Sequence, residues 1–223
     1  MSRKYQIERP QSHDVEEIVQ FLLENFVTAE VILASLEMQK QEEITIMLTD
    51  LVRDCIQCSS TSVIRNPANQ KIDGVCLASK ASLFDMQIDR LCEYQFTEEQ
   101  VATAVEFLKY VFNRLDITYH FEEQKVFKPV FVAVVSVRKE KWGQGIASAM
   151  LDACMAAARD DHCDGAIALA SNHRACQLIQ KRFPITIQSI RYDTFRGSHR
   201  SPPIVMPKDE PQRALYVMLT RFQ

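Results

Sequence analysis

An α/β fold follows from three features of the chain. Val130-Phe131-Val132-Ala133-Val134-Val135-Ser136-Val137 is a short, continuous, largely β-branched run, the pattern of a buried strand. After a glycine-containing turn, Ile146, Ala147, Met150, Leu151, Cys154 and Ala158 recur at helical spacing. A second strand over 166–170 then runs into another strand-to-helix junction at Ser171-Asn172-His173-Arg174-Ala175. Two consecutive strand–helix units flanked by further helical stripes and short strands predict one sheet with helices packed on it. There is no internal repeat and no second domain in the pattern, so residues 1–223 read as a single domain.

The elements can be justified in order. Residues 5–9 read as a first strand. Ser12 caps a helix with an acidic first turn (Asp14, Glu16, Glu17) and a core stripe of Val15, Ile18, Val19, Leu22, Leu23 and Phe26. A short helix over 30–38 follows the break Val27-Thr28-Ala29. A longer one then carries Ile44, Met47, Leu51, Val52 and Cys55 on one side. Residues 61–65 and 74–79 form a hairpin through Asn66-Pro67-Ala68-Asn69. Thr97 with Gln100 makes a capping box for a helix striped by Val101, Val105, Leu108, Val111, Phe112 and Leu115. The two strand–helix units come next. The last strands span 186–195 and 214–222, separated by the loop 196–213, whose Pro202, Pro203, Pro207 and Pro211 make it the one proline-rich stretch. That loop is too long for a tight hairpin and reads as a flap or a mobile loop.

The chain has five glycines, and two of them fall within Trp142-Gly143-Gln144-Gly145-Ile146-Ala147. A strand feeding a glycine turn feeding a helix is an anion site, because the first-turn amides lack internal partners and the helix dipole makes that end partly positive. Glycine also lets a phosphate approach the backbone and accepts positive φ. Arg138, Lys139 and Lys141 line the approach to the turn, which suits a phosphorylated ligand. A nucleotide-binding Walker loop is excluded, since no Gly-Lys pair occurs anywhere. A dinucleotide fingerprint fits poorly. Ser148 stands where the third glycine belongs, and Arg138 to Trp142 separate the strand from the first glycine, leaving Asp164 as an isolated candidate for ribose.

The turn resembles motif A of the GNAT superfamily of acetyl-CoA-dependent N-acetyltransferases, Gln/Arg-x-x-Gly-x-Gly/Ala, aligned as Trp142-x-x-Gly145-x-Ala147 with Trp142 in place of the usual Gln or Arg. The second junction resembles motif B, with Asn172 and Ala175 at the positions that touch the coenzyme A arm. The element order matches the GNAT fold, which implies a central mixed, mostly antiparallel twisted sheet of about seven strands flanked by helices. More narrowly, the chain is similar to the invertebrate arylalkylamine (dopamine-type) N-acetyltransferases. The similarity includes Glu24-Asn25-Phe26 leading to Ala29-Glu30-Val31-Ile32-Leu33, and the closing pattern Ile190-Arg191-Tyr192-x-x-Phe195 followed by Leu215-Tyr216-Val217-Met218-Leu219. That family carries Asp-Glu-Pro-Leu-Asn where Ala29-Glu30-Val31-Ile32-Leu33 stands here, so only the glutamate is retained.

The resemblance implies a site. Acetyl-CoA, the co-substrate, would lie on Gly143, Gln144, Gly145, Ile146, Ala147 and Ser148, with Trp142, Asn172 and Ala175 beside it. In the superfamily the strand before motif A splays from its neighbour, so backbone groups of Val135, Ser136 and Val137 would hold the pantetheine arm and polarise the acetyl carbonyl. Glu30 is the implied base for the arriving ammonium, although a glutamate at its ordinary pKa is a poor one unless burial raises it or water relays the proton. Many superfamily members place a tyrosine in the helix after motif B to protonate the thiolate. Ile179 occupies that position, leaving the acid unassigned. The implied activity is acetyl transfer to a small primary amine, an arylalkylamine in the first instance, with polyamines and other alkylamines open. A GNAT-fold module that holds acyl-CoA with little turnover is the alternative of another class.

Composition bounds the remaining classes. A net charge of −3 gives no reason to propose nucleic acid or an anionic membrane as partner, and no apolar run approaches a membrane helix. Residues 1–6 lack the apolar core of a signal peptide. Seven scattered cysteines, an odd number, fit a reducing cytoplasm. Cys55 and Cys58 form a Cys-x-x-Cys without a second pair, and His120, His162, His173 and His199 have no spaced partners, so no metal site is expected. Arg174 reads first as a solvent-facing helix residue and second as a phosphate contact, and Phe107, Tyr110 and Phe112 read as core or helix surface.

Overall fold

Seven strands form one open sheet in the order β1-β2-β3-β4-β5-β7-β6. The computed structural model describes residues 5–37, 42–80, 93–198 and 204–223. The strands are β1 (Ile7–Glu8), β2 (Ser62–Arg65), β3 (Ile72–Lys80), β4 (Pro129–Val137), β5 (Gly165–Ala170), β6 (Ile185–Arg191) and β7 (Ala214–Arg221). Every neighbouring pair is antiparallel except β4–β5, so the sheet is mixed as the family resemblance implies. Among the described residues the helices are α1 (Val15–Leu22), α2 (Val31–Ser35), α3 (Glu42–Cys55), α4 (Glu99–Asn113), α5 (Ile117–Gln124), α6 (Ile146–Asp160) and α7 (His173–Ile179).

Both faces of the sheet are covered. On one, Val130, Val132 and Ala168 pack against Met150, Leu151 and Cys154 of α6, with Ile179 and Phe183 beside them. On the other, α1 and α3 cover β3 and Val134 through Ile18, Leu22, Leu48 and Val52. The same face is completed by Ile32 of α2 and Phe107 of α4 over Ile167, Val217 and Leu219. Cys55 and Cys58 fall in different core clusters, which gives their Cys-x-x-Cys a packing role.

The feature that positions the site is in β4. Leu77 pairs with Val134 and Ala78 with Val132, so Ala133 is an extra residue opposite no partner on β3, a β-bulge. A one-residue insertion exchanges the faces of everything beyond it. Val130 and Val132 face α6 before the bulge, Val135 and Val137 after it, while Phe131 and Val134 face the other way. The parallel pairing with β5 covers only Pro129 to Val132 and stops at the same point. From Ala133 onward, therefore, β4 has no strand partner on its β5 side.

Several expected boundaries move for local reasons. The first strand is Ile7–Glu8 rather than 5–9, because only these residues pair with β2, as Ile7 with Ile64 and Glu8 with Val63. Ser12 does not cap α1. Residues Ser12–Asp14 form a 3-10 turn, and Asp14 Oδ2 accepts from the Gln11 amide at 2.7 Å. Thr97 does not cap α4 either. Its amide and that of Glu98 donate to the Glu43 carboxylate of α3 at 2.7 and 3.1 Å, so a tertiary contact replaces the expected capping box. Helix α5 was invisible to pattern reading because it buries no residue; Asp116 caps it, accepting from the Tyr119 amide at 3.0 Å. The second helix is Val31–Ser35, shorter than 30–38. Met38, His199, Pro202, Pro203 and residues 1–4, on which other sequence readings fell, lie outside the described residues.

Close backbone approach also fixes the start of β5. A Cβ on Gly165 would sit 2.7 Å from the Thr220 carbonyl oxygen of β7 and 2.7 Å from Val126. Gly165→Ala is expected to lower unfolding stability by about 1–3 kcal/mol, the usual cost of overpacking, with denaturant titration as the measurement.

Candidate active site

The splay of β4 from β5 opens a cavity of about 1270 Å³ that extends from α2 and α3 across the sheet edge to the start of α6 and α7. Its wall includes Ala133, Val135, Ser136 and Val137 of β4, Gly143, Gly145, Ile146, Ala147 and Ser148 of the glycine turn and α6, and Asn172 and Ala175 at α7. Glu30 lines the same cavity from the N-terminus of α2. Of the residues picked from sequence, Gln144 alone is absent from the wall. It is directed elsewhere: Gln144 accepts a hydrogen bond from the Tyr5 hydroxyl and donates to the Glu140 carbonyl.

The glycine turn has the form an anion needs. Gly143 has φ +75° and Gly145 φ +79°, with Gly145 the residue before α6. Nothing lies within 4 Å of where a Cβ would project from either glycine. The turn therefore presents its backbone and the first amides of α6 to open space, and the residues present fit a pyrophosphate-bearing ligand. Asn172 caps α7, its Oδ1 accepting from the Ala175 amide at 2.8 Å, which commits the oxygen and leaves its NH2 as the donor. Ser148 is tied to Arg182, whose Nη2 donates to Ser148 Oγ at 2.5 Å.

Two expectations need correction. The Val137 carbonyl is not free for a pantetheine arm, because it accepts from Trp142 Nε1 at 2.8 Å. Backbone groups open to a ligand must lie nearer the bulge, within Ala133 to Ser136. The basic approach is also weaker than the sequence suggested. Arg138 and Lys141 face the buried carboxylate of Asp73 at 3.4 and 3.8 Å, and of the three cations only Lys141 reaches the cavity wall. Arg174, by contrast, lines the cavity and lies over the Trp142 ring.

Glu30 is built into the start of α2. Its backbone is extended (φ −72°, ψ 122°), and its Oε2 accepts from the amides of Ile32 and Leu33, each at 2.9 Å. The other oxygen, Oε1, is buried and makes no hydrogen bond of full geometry among the described residues, the Ser171 side chain being the one side-chain donor that acts on the carboxyl. Burial raises the Glu30 pKa above the usual carboxylate value. The neighbouring Ser171 side chain and the amides of Leu33, Ile32 and Val31 pull the other way and lose. A carboxyl with a raised pKa and one unsatisfied oxygen is equipped to take a proton.

Ser171 and Tyr192 complete this corner, and sequence reasoning gave neither a role. Ser171 directly follows β5 and lines the cavity; its carbonyl accepts from the buried Tyr192 hydroxyl. Burial, followed by the charges of Glu30 and Glu210, drives the Tyr192 pKa upward, so the phenol remains a donor that anchors the end of β5. The signal for Ser171 was positional, since it sits where a strand delivers residues to the mouth of a parallel pair, and Tyr192 was marked by its place in the closing family pattern. The loop before β7 also contributes. Pro207, Asp209, Glu210 and Pro211 line the cavity, and Gln212 Nε2 holds the loop to the sheet by donating to the carbonyls of Ala170 and Ala214 at 2.9 and 2.7 Å. Ile179 is buried in the wall and cannot supply a proton. No group of three potential metal ligands occurs among the described residues.

A bulged strand splaying from its parallel neighbour above a glycine turn is the architecture of the GNAT fold. Residues 113–183, which contain β4, the turn, α6, β5 and α7, match the Acetyltransferase (GNAT) family. The family match covers this stretch of the chain, and the sheet, bulge and glycine turn around it have the GNAT fold. No curated protein matches significantly in sequence. Similar solved structures include arylalkylamine N-acetyltransferase 2 from Aedes aegypti, with a TM-score of 0.79 at 15% identity over 98% of this chain and 99% of that one. They also include the Drosophila melanogaster polyamine N-acetyltransferase, an enzyme that forms N-acetylagmatine, with 0.79 at 12% identity over 98% and 100%. At such identities the likeness establishes the fold.

The open space above Gly145 yields a direct test. Gly145→Ala adds left-handed backbone strain of about 1–2 kcal/mol without a protein clash. Gly145→Glu adds a carboxylate where an anion should bind, and titration calorimetry is expected to show acetyl-CoA affinity reduced about tenfold or more relative to Gly145→Ala. Equal affinities would remove the pyrophosphate from this turn.

Proposed function

We propose that this protein is an N-acetyltransferase that moves acetyl from acetyl-CoA directly to a small primary amine within one domain, with Glu30 as the general base. The observation that carries the reading is the Glu30 carboxyl, with its raised pKa and one unpartnered oxygen, in the same cavity as the unpaired edge of β4 and the glycine turn. The amine arrives as an ammonium, and Glu30 accepts its proton directly or through water. Backbone groups of β4 within Ala133 to Ser136 hold the acyl carbonyl and stabilise the negative charge that develops on its oxygen. The amides from Gly143 to Ser148, with Asn172 and Ala175, hold the coenzyme arm.

Direct transfer is favoured over an acetyl-enzyme. Cys176 does not line the cavity, and burial raises its thiol pKa, which disfavours the nucleophilic thiolate. Cys154 is buried, and its pKa is raised well above the usual thiol value by a hydrogen bond to Cys76 and by burial.

For the amine, the walls near Glu30 support an arylalkylamine, since Phe26, Leu33, Leu108, Phe112 and Phe131 offer an apolar, aromatic lining. A polyamine or other diamine is the second reading, favoured by four further carboxylates in the wall, Asp50, Asp54, Asp209 and Glu210. An assay of CoA thiol release over a panel of phenylethylamines, agmatine, putrescine and spermidine decides between them. No turnover with any amine, despite acetyl-CoA binding, would leave an acyl-CoA-binding module.

Three kinetic outcomes follow. Initial-rate lines are expected to intersect when both substrates are varied; parallel lines with an acetylated enzyme in mass spectra would overturn direct transfer. Glu30→Gln is expected to lower kcat on the order of a hundredfold or more, and the deficit should shrink at high pH, where more amine arrives neutral. Glu30 must be ionised to act, so kcat/KM of the parent enzyme should fall as pH drops through the raised Glu30 pKa. That places the acidic limb above the usual carboxylate range. Its disappearance in Glu30→Gln is the check.

A further inference from the structure

We infer that Arg174, held on the face of Trp142, is the side-chain clamp for the phosphates of coenzyme A. This rests on the acetyl-CoA reading above. Motif A here lacks the usual Gln or Arg at its first position, so the polar contact made from that place is missing. What stands there is built, not vacant. Trp142 is 40% exposed, and its indole is fixed by the 2.8 Å bond from Nε1 to the Val137 carbonyl. The Arg174 guanidinium carbon lies 4.5 Å from the indole centroid. Both side chains belong to the wall that contains Gly143 and Gly145.

Three of the neighbouring cations already face carboxylates, and Lys139 does not reach the cavity wall. Arg138 and Lys141 face Asp73, and Arg182 is paired with Asp152 at 2.5 Å. Arg174 forms no ion pair with a carboxylate among the described residues. A guanidinium over an aromatic face keeps its N–H groups in the plane of the fork, free for bidentate contact with a phosphate. The indole restricts the arginine beforehand, so less side-chain freedom is lost when the anion binds. Arg174, exposed as the sequence reading expected, thus supplies from the second strand–helix unit the charge that the first unit has given up.

The chain has one tryptophan, so Trp142 fluorescence reports on this platform directly. Calorimetric and fluorescence titrations with CoA and with pantetheine, which lacks the phosphates, test the assignment in the parent protein, Arg174→Gln and Arg174→Lys. CoA affinity should fall about 10- to 100-fold in Arg174→Gln, the range for a charge-assisted hydrogen bond. It should fall less in Arg174→Lys, and pantetheine affinity should match the parent's in both. CoA affinity in Arg174→Gln within twofold of the parent's would overturn the clamp while leaving the acetyltransferase reading intact. An equal loss for CoA and pantetheine would also overturn it, by assigning Arg174 to the shape of the cavity. A parent protein that binds no CoA would overturn both.

Discussion

β4 and β5 are paired only from Pro129 to Val132, and the bulge at Ala133 falls where that pairing ends. The rest of the site depends on this divergence. A parallel pair left intact to the end of both strands would satisfy its backbone internally and seal the space between α6 and α7. Because the strands separate, the backbone of β4 beyond the bulge is left without a strand partner, and the two helix N-termini open into one cavity. The bulge also changes which face each β4 side chain takes. Val135 and Val137 continue to pack toward α6, and the half-buried Ala133 and Val135 are small enough to leave the opening clear.

Glu30 shows how a structural position can carry chemistry. As the cap of α2 it satisfies the amides of Ile32 and Leu33, and those bonds favour the carboxylate. Burial opposes them and prevails, so the pKa is raised. A folded-state pKa above the unfolded one means that the folded protein holds this proton more tightly. The ionised group therefore costs stability, with the cost absent below the unfolded pKa and growing until pH has passed the folded one. That strain is the property a base for an ammonium requires, and the short helix gives the carboxyl a fixed position from which to act.

The charges around the cavity are distributed unevenly. Lys141 and Arg174 lie at the glycine-turn end, while Asp50, Asp54 and Glu30 come from α2 and α3 and Asp209 and Glu210 from the loop before β7. An anionic co-substrate and a cationic amine would each find complementary charge in one continuous space. The loop before β7 brings Pro207, Asp209, Glu210 and Pro211 into the wall, and the buried Gln212 beside them is bonded to β5 and β7.

Local chemistry made much of this legible in the sequence. The apolar run 130–137, the stripe from Ile146 to Ala158 and the placement of Gly143 and Gly145 specified a strand, a turn and a helix, because short-range periodicity and backbone permissiveness act within a few residues. Glu30 and the coenzyme-binding residues entered through family resemblance, which carries tertiary information that the residues alone do not. What the sequence missed was long-range. Helix α5 buries no residue and so has no stripe to read, and Thr97 lost its capping role to Glu43 from another helix. Gln144 was drawn away by Tyr5, and the Val137 carbonyl was taken by Trp142. The Trp142–Arg174 stack joins two strand–helix units that periodicity treats as independent. The sequence thus determined which segments become strands, turns and helices. Only the tertiary structure decided which polar groups remain unpartnered in the cavity, because a hydrogen bond or ion pair is spent on whichever partner the packing brings within reach.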